Sequence, residues 1–130
     1  MSNKLPSDLW NLSVEALNNS ERWFGESGVA ADISHMSLSM CGEAGNLANI
    51  IKLIDRGEID PKDARAHFDM VMALADVFVY VLNIAAILQI DLLRAYEQKV
   101  IANEKRFVDD REKKNQPIRA IGWQSYSSGE

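Results

Sequence analysis

The sequence predicts an all-α protein with a fold like a four-helix bundle. Four segments repeat apolar residues at spacings of three and four, which is the period of a helix with one buried face. Short polar connections separate these segments, and no run of residues alternates between apolar and polar as a half-buried strand does. The length of 130 residues fits one domain. We therefore expect a single domain over residues 1–110, followed by a polar tail over residues 111–130.

The first two helices each follow a residue that is suited to capping. Ser7 is a predicted N-cap, and the first helix then runs to about Phe24, where the sequence GESG ends it. Asp32 is the predicted cap of a second helix, which runs to about Asp55.

The last two helices also follow aspartates. Asp60 precedes Pro61, which suits the first position of a helix, so we expect the third helix to begin there and to reach about Gln89. Asp91 is the predicted cap of a fourth helix over residues 92 to about 109.

Large apolar side chains near both ends of the chain are candidates for packing. On the first helix, we expect Trp10, Trp23 and Phe24 to pack in the core or at an oligomer interface. In the tail, three residues are candidates for docking onto a partner subunit: Ile118, Ile121 and Trp123.

Charge and cysteine content narrow the classes of function. The net charge of −5 disfavours a surface for nucleic-acid polymers or anionic membranes, because both attract basic faces. It is compatible with one anionic ligand held by local cations or a metal. The single cysteine, Cys41, has no partner for an internal disulfide, and the first ten residues lack the apolar segment of a signal peptide. We therefore expect a cytoplasmic protein.

One segment has the length of a membrane span. Residues 70–90 are mostly apolar, but Asp76 and Asn83 interrupt them and no basic flank accompanies them. This pattern favours the central helix of a soluble bundle, apolar on most sides because other helices surround it.

Polar residues interrupt the apolar patterns of the second and third helices. Glu43 and Asp76 each lie in the middle of such a pattern, where burying an uncompensated carboxylate costs several kcal/mol or more. Two sets of polar residues share helix faces: Asp69, Asp76 and Asn83 on the third helix, and Glu43, Asn46 and Asn49 on the second. Carboxylate and amide oxygens on facing helices are how helix bundles hold hard cations such as Mg²⁺.

Several of these residues also have a structural explanation. Asp69 fits a solvated position near the start of its helix, and Asn49 and Asn83 fit core amides that bond to the protein itself. Glu43 and Asp76 are therefore the strongest candidates for a functional role.

The fourth helix carries a row of polar residues with two cations. Lys99, Asn103 and Arg106 fall at i, i+4 and i+7, so they lie on one face. Two cations and an amide on one face can hold a phosphate chain. Taken alone the pattern is weak, because such rows also occur on ordinary solvated helices.

Three segments together resemble the MazG-like all-α nucleoside triphosphate pyrophosphohydrolases, over roughly residues 30–108: GEAGNLAN, MALADVFVYVLNIAAILQIDL and KVIANEKRF. The family pattern is E-x-x-E, then E-x-x-D on the next long helix, then K-x-x-x-N-x-x-R-[YF]. The resemblance implies a helical bundle that assembles as a homodimer or homotetramer. It also implies Mg²⁺-dependent hydrolysis, with Mn²⁺ as an alternative metal, of a nucleoside triphosphate to the monophosphate and pyrophosphate.

Two of the four acids in the family pattern are replaced. Glu43 and Asp76 match it, whereas Asn46 and Ala73 stand where the family has glutamates. The resemblance therefore implies that Glu43 and Asp76 are the catalytic metal ligands. Asn46 can still offer a carbonyl oxygen, and Asp69 is a candidate substitute one turn before Ala73.

The phosphate side of the pattern is intact. Lys99, Asn103, Arg106 and Phe107 all match, and we expect the first three, together with Asn49, to bind substrate. Two functions remain open. One is an active pyrophosphohydrolase, and the other is a catalytically silent relative that binds or sequesters a nucleotide or serves as a helical interaction module.

Overall fold

The computed structural model describes residues 7–25 and 32–114, and all regular structure within these ranges is helical. Four helices follow in order: α1 (Asp8–Phe24), α2 (Ile33–Asp55), α3 (Ala64–Ile87) and α4 (Leu92–Lys114). The predicted all-α class is therefore confirmed. The candidate docking residues of the tail, Ile118, Ile121 and Trp123, lie outside the described residues.

The predicted caps of α1 and α2 are present. Ser7 Oγ accepts a hydrogen bond from the backbone N–H of Trp10 at 3.0 Å. Asp32 Oδ1 accepts from the backbone N–H groups of Ser34 and His35 at 3.0 and 3.2 Å. These bonds satisfy amides that have no partner inside the helix, so both helices begin at the predicted residues.

The third helix begins at Ala64, and the predicted start at Pro61 is wrong. A hydrogen bond of 2.9 Å from the Asp63 N–H to the Asp60 carbonyl oxygen closes a turn around Pro61. Proline suits the second position of such a turn, because its fixed φ matches the backbone there. Asp63 is the actual cap, since its side chain accepts from the N–H of Ala66 at 2.8 Å.

The ends of α3 and α4 also differ from prediction. The last residue of α3 is Ile87, because Gln89 has a φ of +55° and lies outside the right-handed helical region. The fourth helix begins at Leu92 as predicted but continues to Lys114 rather than ending near Asp109. Its last residues lack an apolar repeat, yet they are mostly good helix formers.

The chain divides into two compact units, and the division falls within α4, between Ala95 and Tyr96. The first unit contains α1, α2, α3 and the first turn of α4. Within it, α3 packs against both α1 and α2.

Two side-chain hydrogen bonds give the direction of α1 relative to α3. At the start of α1, Ser7 Oγ donates to Asp91 Oδ1, beyond the end of α3, at 2.6 Å. Near the end of α1, Ser20 Oγ accepts from Asn83 Nδ2 at 3.0 Å. The first residue of α1's pair of contacts meets the later partner, Asp91, and the second meets the earlier partner, Asn83. The two helices are therefore antiparallel.

The core of the first unit is small. Its buried apolar residues are Met36 and Ile54 on α2, and Ala66, Ala73, Leu82, Ala85 and Ala86 on α3. Alanines let helices approach closely, but each one buries little apolar area.

The first two thirds of α3 expose large apolar side chains: Phe68, Val71, Met72, Leu74, Phe78 and Val79. Among the described residues, α3 is the helix that is long and apolar enough to cross a membrane, a test that core helices of soluble proteins also meet. Only 22% of its most apolar window is buried. Among the described residues of the first unit, α1 and α2 therefore cover only part of α3.

Two aromatic residues at the end of α1 are exposed. Trp23 and Phe24 are 60% and 56% exposed, and their rings contact each other edge to face with centroids 6.4 Å apart. The Arg22 guanidinium lies 5.8 Å from the centroid of the Trp23 ring. Of the three aromatic residues that could fill the core, Trp10 is half-buried, whereas Trp23 and Phe24 lie outside the core of the described chain.

Candidate metal and phosphate site

Glu43 lies on the packed face of α2. Met36 precedes it by seven residues and Ile54 follows it by eleven, so all three share one side of the helix. Met36 and Ile54 are both buried, and Glu43 between them is half-buried. The expectation of a carboxylate within an apolar stripe therefore holds for Glu43.

Asp76 lies in a different environment. It is exposed, whereas Ala73, one turn earlier on α3, is only 6% exposed. Three residues turn an α-helix by about 300°, so Asp76 lies at the edge of the packed face that Ala73 occupies. The expectation that Asp76 is buried in the middle of an apolar helix is wrong for the single chain.

The two acids nevertheless lie equally far from the turn that joins α2 and α3. Glu43 precedes the end of α2 at Asp55 by 12 residues, and Asp76 follows the start of α3 at Ala64 by 12 residues. Each acid therefore lies about 18 Å along its helix from the connecting turn. Since α2 and α3 pack against each other, the two acids lie on contacting helices at equal distances from the turn that joins them.

The two altered positions are also equally far from this turn. Asn46 lies 9 residues from the end of α2, and Ala73 lies 9 residues from the start of α3. Asn46 is exposed, and its Nδ2 donates to Glu43 Oε2 at 3.5 Å, the long limit for such a bond. Its carbonyl oxygen lies on the same amide, so Asn46 remains a candidate neutral ligand beside Glu43.

Asp69 and Asn49 differ from their predicted roles. The Arg65 Nε donates to both carboxylate oxygens of Asp69, at 3.0 and 3.2 Å. A metal ion at Asp69 would compete with this ion pair, which weakens Asp69 as a substitute ligand. Asn49 is exposed, so the explanation of Asn49 as a core amide is wrong.

Asn83 is a core amide rather than part of an acidic face. It is only 1% exposed and bonds to Ser20 on α1. Residues spaced by seven drift by only about 20° per repeat, so Asp69, Asp76 and Asn83 stay on one side of α3 within about 40° and differ in what covers each of them. Asn83 therefore lies against α1, while Asp76 lies beyond the part of α3 that α1 covers.

The described residues contain no group of three or more histidine, cysteine, aspartate or glutamate side chains placed to hold a metal ion. The candidate oxygen donors are the carboxylates of Glu43 and Asp76 and the amide of Asn46, which bonds to Glu43. Mg²⁺ commonly binds to one or two carboxylates and completes its shell with water and substrate phosphate. This donor set therefore fits a weak Mg²⁺ or Mn²⁺ site that depends on the substrate.

The predicted phosphate ligands all lie in the second unit, on α4. Lys99 and Arg106 are exposed, and Asn103 is half-buried. Asn103 lines an open groove of about 250 Å³ together with Phe107. The Arg106 guanidinium lies 5.1 Å from the centroid of the Phe107 ring.

A polar cluster that the sequence did not reveal joins the starts of two helices. Asp91 Oδ1 accepts from Ser7 Oγ at 2.6 Å and from the N–H of Leu93 at 3.2 Å. The hydrogen bond from Ser7 is the main cause that lowers the pKa of Asp91 below its ordinary value, and the N–H and charge of Arg94 act in the same direction. Both residues were recognisable as caps, but no sequence signal places residues 84 positions apart in contact.

Comparison of the chain with models of protein families, with curated proteins and with solved structures gave no match.

Proposed function

We propose that the protein is a MazG-like nucleotide pyrophosphohydrolase that uses Mg²⁺, or Mn²⁺, to convert a nucleoside triphosphate to the monophosphate and pyrophosphate in the cytoplasm. The observation that carries the proposal is that Glu43 and Asp76 lie on two contacting helices at equal distances from the turn that joins them. Two carboxylates on facing helices are enough protein ligands for a Mg²⁺ site that water and substrate phosphates complete.

Each residue has a distinct role in this proposal. Glu43 and Asp76 hold the ion, and the Asn46 carbonyl supplements them. When bound, the ion neutralises phosphate charge and lowers the pKa of water for attack at the α–β anhydride. Lys99, Asn103 and Arg106 hold the phosphate chain, as charged donors do in phosphate sites. The role of Asn49 is to contact the substrate from its exposed position on α2.

A homodimer or homotetramer is part of the proposal. The exposed apolar side chains of α3 are about half accessible, so six of them present roughly 500 Å² of surface. A standard interface buries about 800 Å² per partner, so this face supplies a large share of one. A second copy of the chain would bury this apolar face without requiring a different protein as partner.

A binding-only relative is the second candidate, and the burial of Ala73 favours it. Ala73 fills a packed position with a methyl group, so a buried core side chain stands where the family pattern has a glutamate ligand. Loss of one catalytic electrostatic contact costs about 10²–10³ in rate. In this candidate, Lys99 and Arg106 still bind the nucleotide while hydrolysis is negligible.

The test measures pyrophosphate release and thermal stabilisation across a panel of nucleoside triphosphates at saturating Mg²⁺. We expect Asp76→Asn to lower release at least about tenfold, because it removes one of two charged ligands. Asp55→Asn, an exposed aspartate 12 residues from Glu43 on the same helix pair, is the matched control and should leave release unchanged. Equal release by wild type and Asp76→Asn would remove Asp76 from the site.

The same panel distinguishes the two candidates. A wild type that shows no release, but melts at higher temperature with nucleotide and loses that shift in Arg106→Gln, is the binding-only relative, since a ligand of the native state raises its stability. Lys105→Gln is the control, because Lys105 is exposed on the same helix but lies off the face of Arg106. The absence of both release and shift at millimolar nucleotide would contradict both candidates and leave a helical interaction module.

A further inference from the structure

An open cleft of about 420 Å³ lies in the first unit, away from the level of Glu43 and Asp76. One wall is a face of α1 made by Trp10, Val14 and Leu17, at i, i+4 and i+7. Ala86 of α3 lines it as well. Clefts that bind small molecules have volumes of about 300–1,000 Å³ and mostly apolar walls, so this one is of suitable size.

The opposite edge of the cleft is polar and is formed by Gln89, Asp91 and Arg94. The Asp91 carboxylate caps α4 and bonds to Ser7, and its Oδ2 lies 3.7 Å from the Arg94 Nε. The roles of Asp91 and its ion pair are therefore explained by the fold. The Gln89 side-chain amide is not used in this way, since it makes no hydrogen bond to any of the described residues.

The backbone at Gln89 is in the left-handed region, with a φ of +55°. Two hydrogen bonds close the end of α3 around it, from the N–H groups of Gln89 and Ile90 to Ala86 and Ala85 at 3.2 and 2.8 Å. Glycine is the usual residue at this position, because a side chain destabilises the left-handed conformation.

The end of α2 provides an internal comparison. There the corresponding position, the second residue after the helix, is Gly57 with a φ of +74°. The same backbone geometry thus occurs twice, once with glycine and once with glutamine, and the glutamine is the one that borders a cleft. A non-glycine residue in an unfavourable conformation beside a cavity is a recognised sign of a binding function.

We propose that this cleft binds a planar heteroaromatic molecule that presents a hydrogen-bond donor next to an acceptor, stacked on Trp10 and paired with the Gln89 amide. An aromatic ring accepts a flat ligand face to face, and such stacking contributes to affinity for any base. A glutamine amide pairs in two places with an adjacent donor and acceptor, as on one edge of adenine. The proposal does not depend on phosphate binding, because the cleft is defined by residues of the first unit alone.

The probe is adenine, with purine as a matched compound that lacks the exocyclic amine. Saturation-transfer NMR and isothermal titration on the full chain should show that adenine binds and that purine binds about tenfold more weakly, because one of two paired hydrogen bonds is lost. Adenine that does not bind at millimolar concentration would overturn the proposal.

Two variants distinguish the effect of the Gln89 side-chain amide from the effect of its left-handed backbone conformation. Gln89→Gly relieves the left-handed strain, so it should melt at the same or a higher temperature while losing the preference for adenine over purine. Gln89→Met keeps the side-chain length and the strain but has no amide, so it should lose the preference without gaining stability. Trp10→Leu should weaken both ligands alike. A Gln89→Met protein that keeps the adenine preference would overturn the pairing, whatever the fate of the other variants.

Discussion

The two halves of α3 differ in what covers them. In the C-terminal half, Leu82 and Ala86 are 3% and 9% exposed. In the N-terminal half, Phe68 and Met72 are close to half exposed, and so is Phe78 just past the midpoint, although all three continue the same side of the helix.

The length of α1 explains the difference. Ser20 lies at the level of Asn83, and α1 ends four residues later at Phe24, about 6 Å farther along α3. Because the helices are antiparallel, α1 covers α3 only down to about the level of Val79. Apolar side chains before that level are not covered by α1. The exposed face of α3 therefore begins where α1 ends.

The largest effect is expected from placing charge on the part of α3 that α1 does not cover. If a second copy covers this face, the double change Val71→Asp with Phe78→Asp should weaken association by roughly 4 kcal/mol or more, because central interface residues dominate binding energy and buried charges are costly. Light scattering and the concentration dependence of the melting temperature measure this.

The control for that change is Lys62→Asp in the α2–α3 turn. It alters the net charge by the same two units at an exposed position outside the apolar face. A wild type that is a monomer at tens of micromolar, or a double variant that associates as wild type does, would contradict the assignment of this face to a second copy.

A smaller effect is expected from the covered half. Leu82→Ala should lower the free energy of unfolding by about 2–5 kcal/mol, because it removes buried methyl groups and leaves a cavity against α1. Leu74→Ala, at a position that is 59% exposed, should change the stability of the dissociated chain by less than about 0.5 kcal/mol. Chemical denaturation at low protein concentration compares the two, and equal losses would show that the halves do not differ as described.

The smallest effect concerns the end of the covered half, where Ser7 bonds to Asp91. Asp91 has a pKa below its ordinary value of 3.8 in the folded state. Its contribution to stability is therefore present above about pH 3.8 and is lost as the pH falls through the lowered folded value. Ser7→Ala should raise the pKa of Asp91 and flatten this acid dependence, and loss of the cap should cost about 1 kcal/mol at neutral pH. NMR titration and acid denaturation test this, and an unchanged Asp91 pKa would contradict the role of the hydroxyl.

The sequence was sufficient for local features and insufficient for those that depend on neighbours. The caps at Ser7, Asp32 and Asp91 were predictable, because a capping side chain acts on amides two or three residues away. The start of α3 was not, because Asp60 and Asp63 both suit a cap, and the turn around Pro61 decides between them.

The candidate site was predictable only in part for the same reason. Glu43 falls on a stripe of buried residues that repeats along α2, so its half-buried position follows from periodicity. The exposure of Asp76 depends on how far α1 extends along α3. The sequence pattern of α3 alone does not predict this extent. The equal distance of the two acids from the connecting turn depends on the actual helix ends, and a start of α3 at Pro61 would have changed the count for Asp76 by three residues.

The buried pair of Asn83 and Ser20 has a consequence for sliding between helices. An apolar interface alone tolerates a shift of one helix past another by a turn, about 5.4 Å, since one small side chain replaces the next. Here such a shift would separate Ser20 from Asn83, so the Asn83 Nδ2 would lose its hydrogen bond inside the core. The Oδ1 of the same amide already has no partner among the described residues. The pair therefore fixes the register of α1 against α3. By fixing this register, it also determines how much of the α3 surface remains for another molecule to cover.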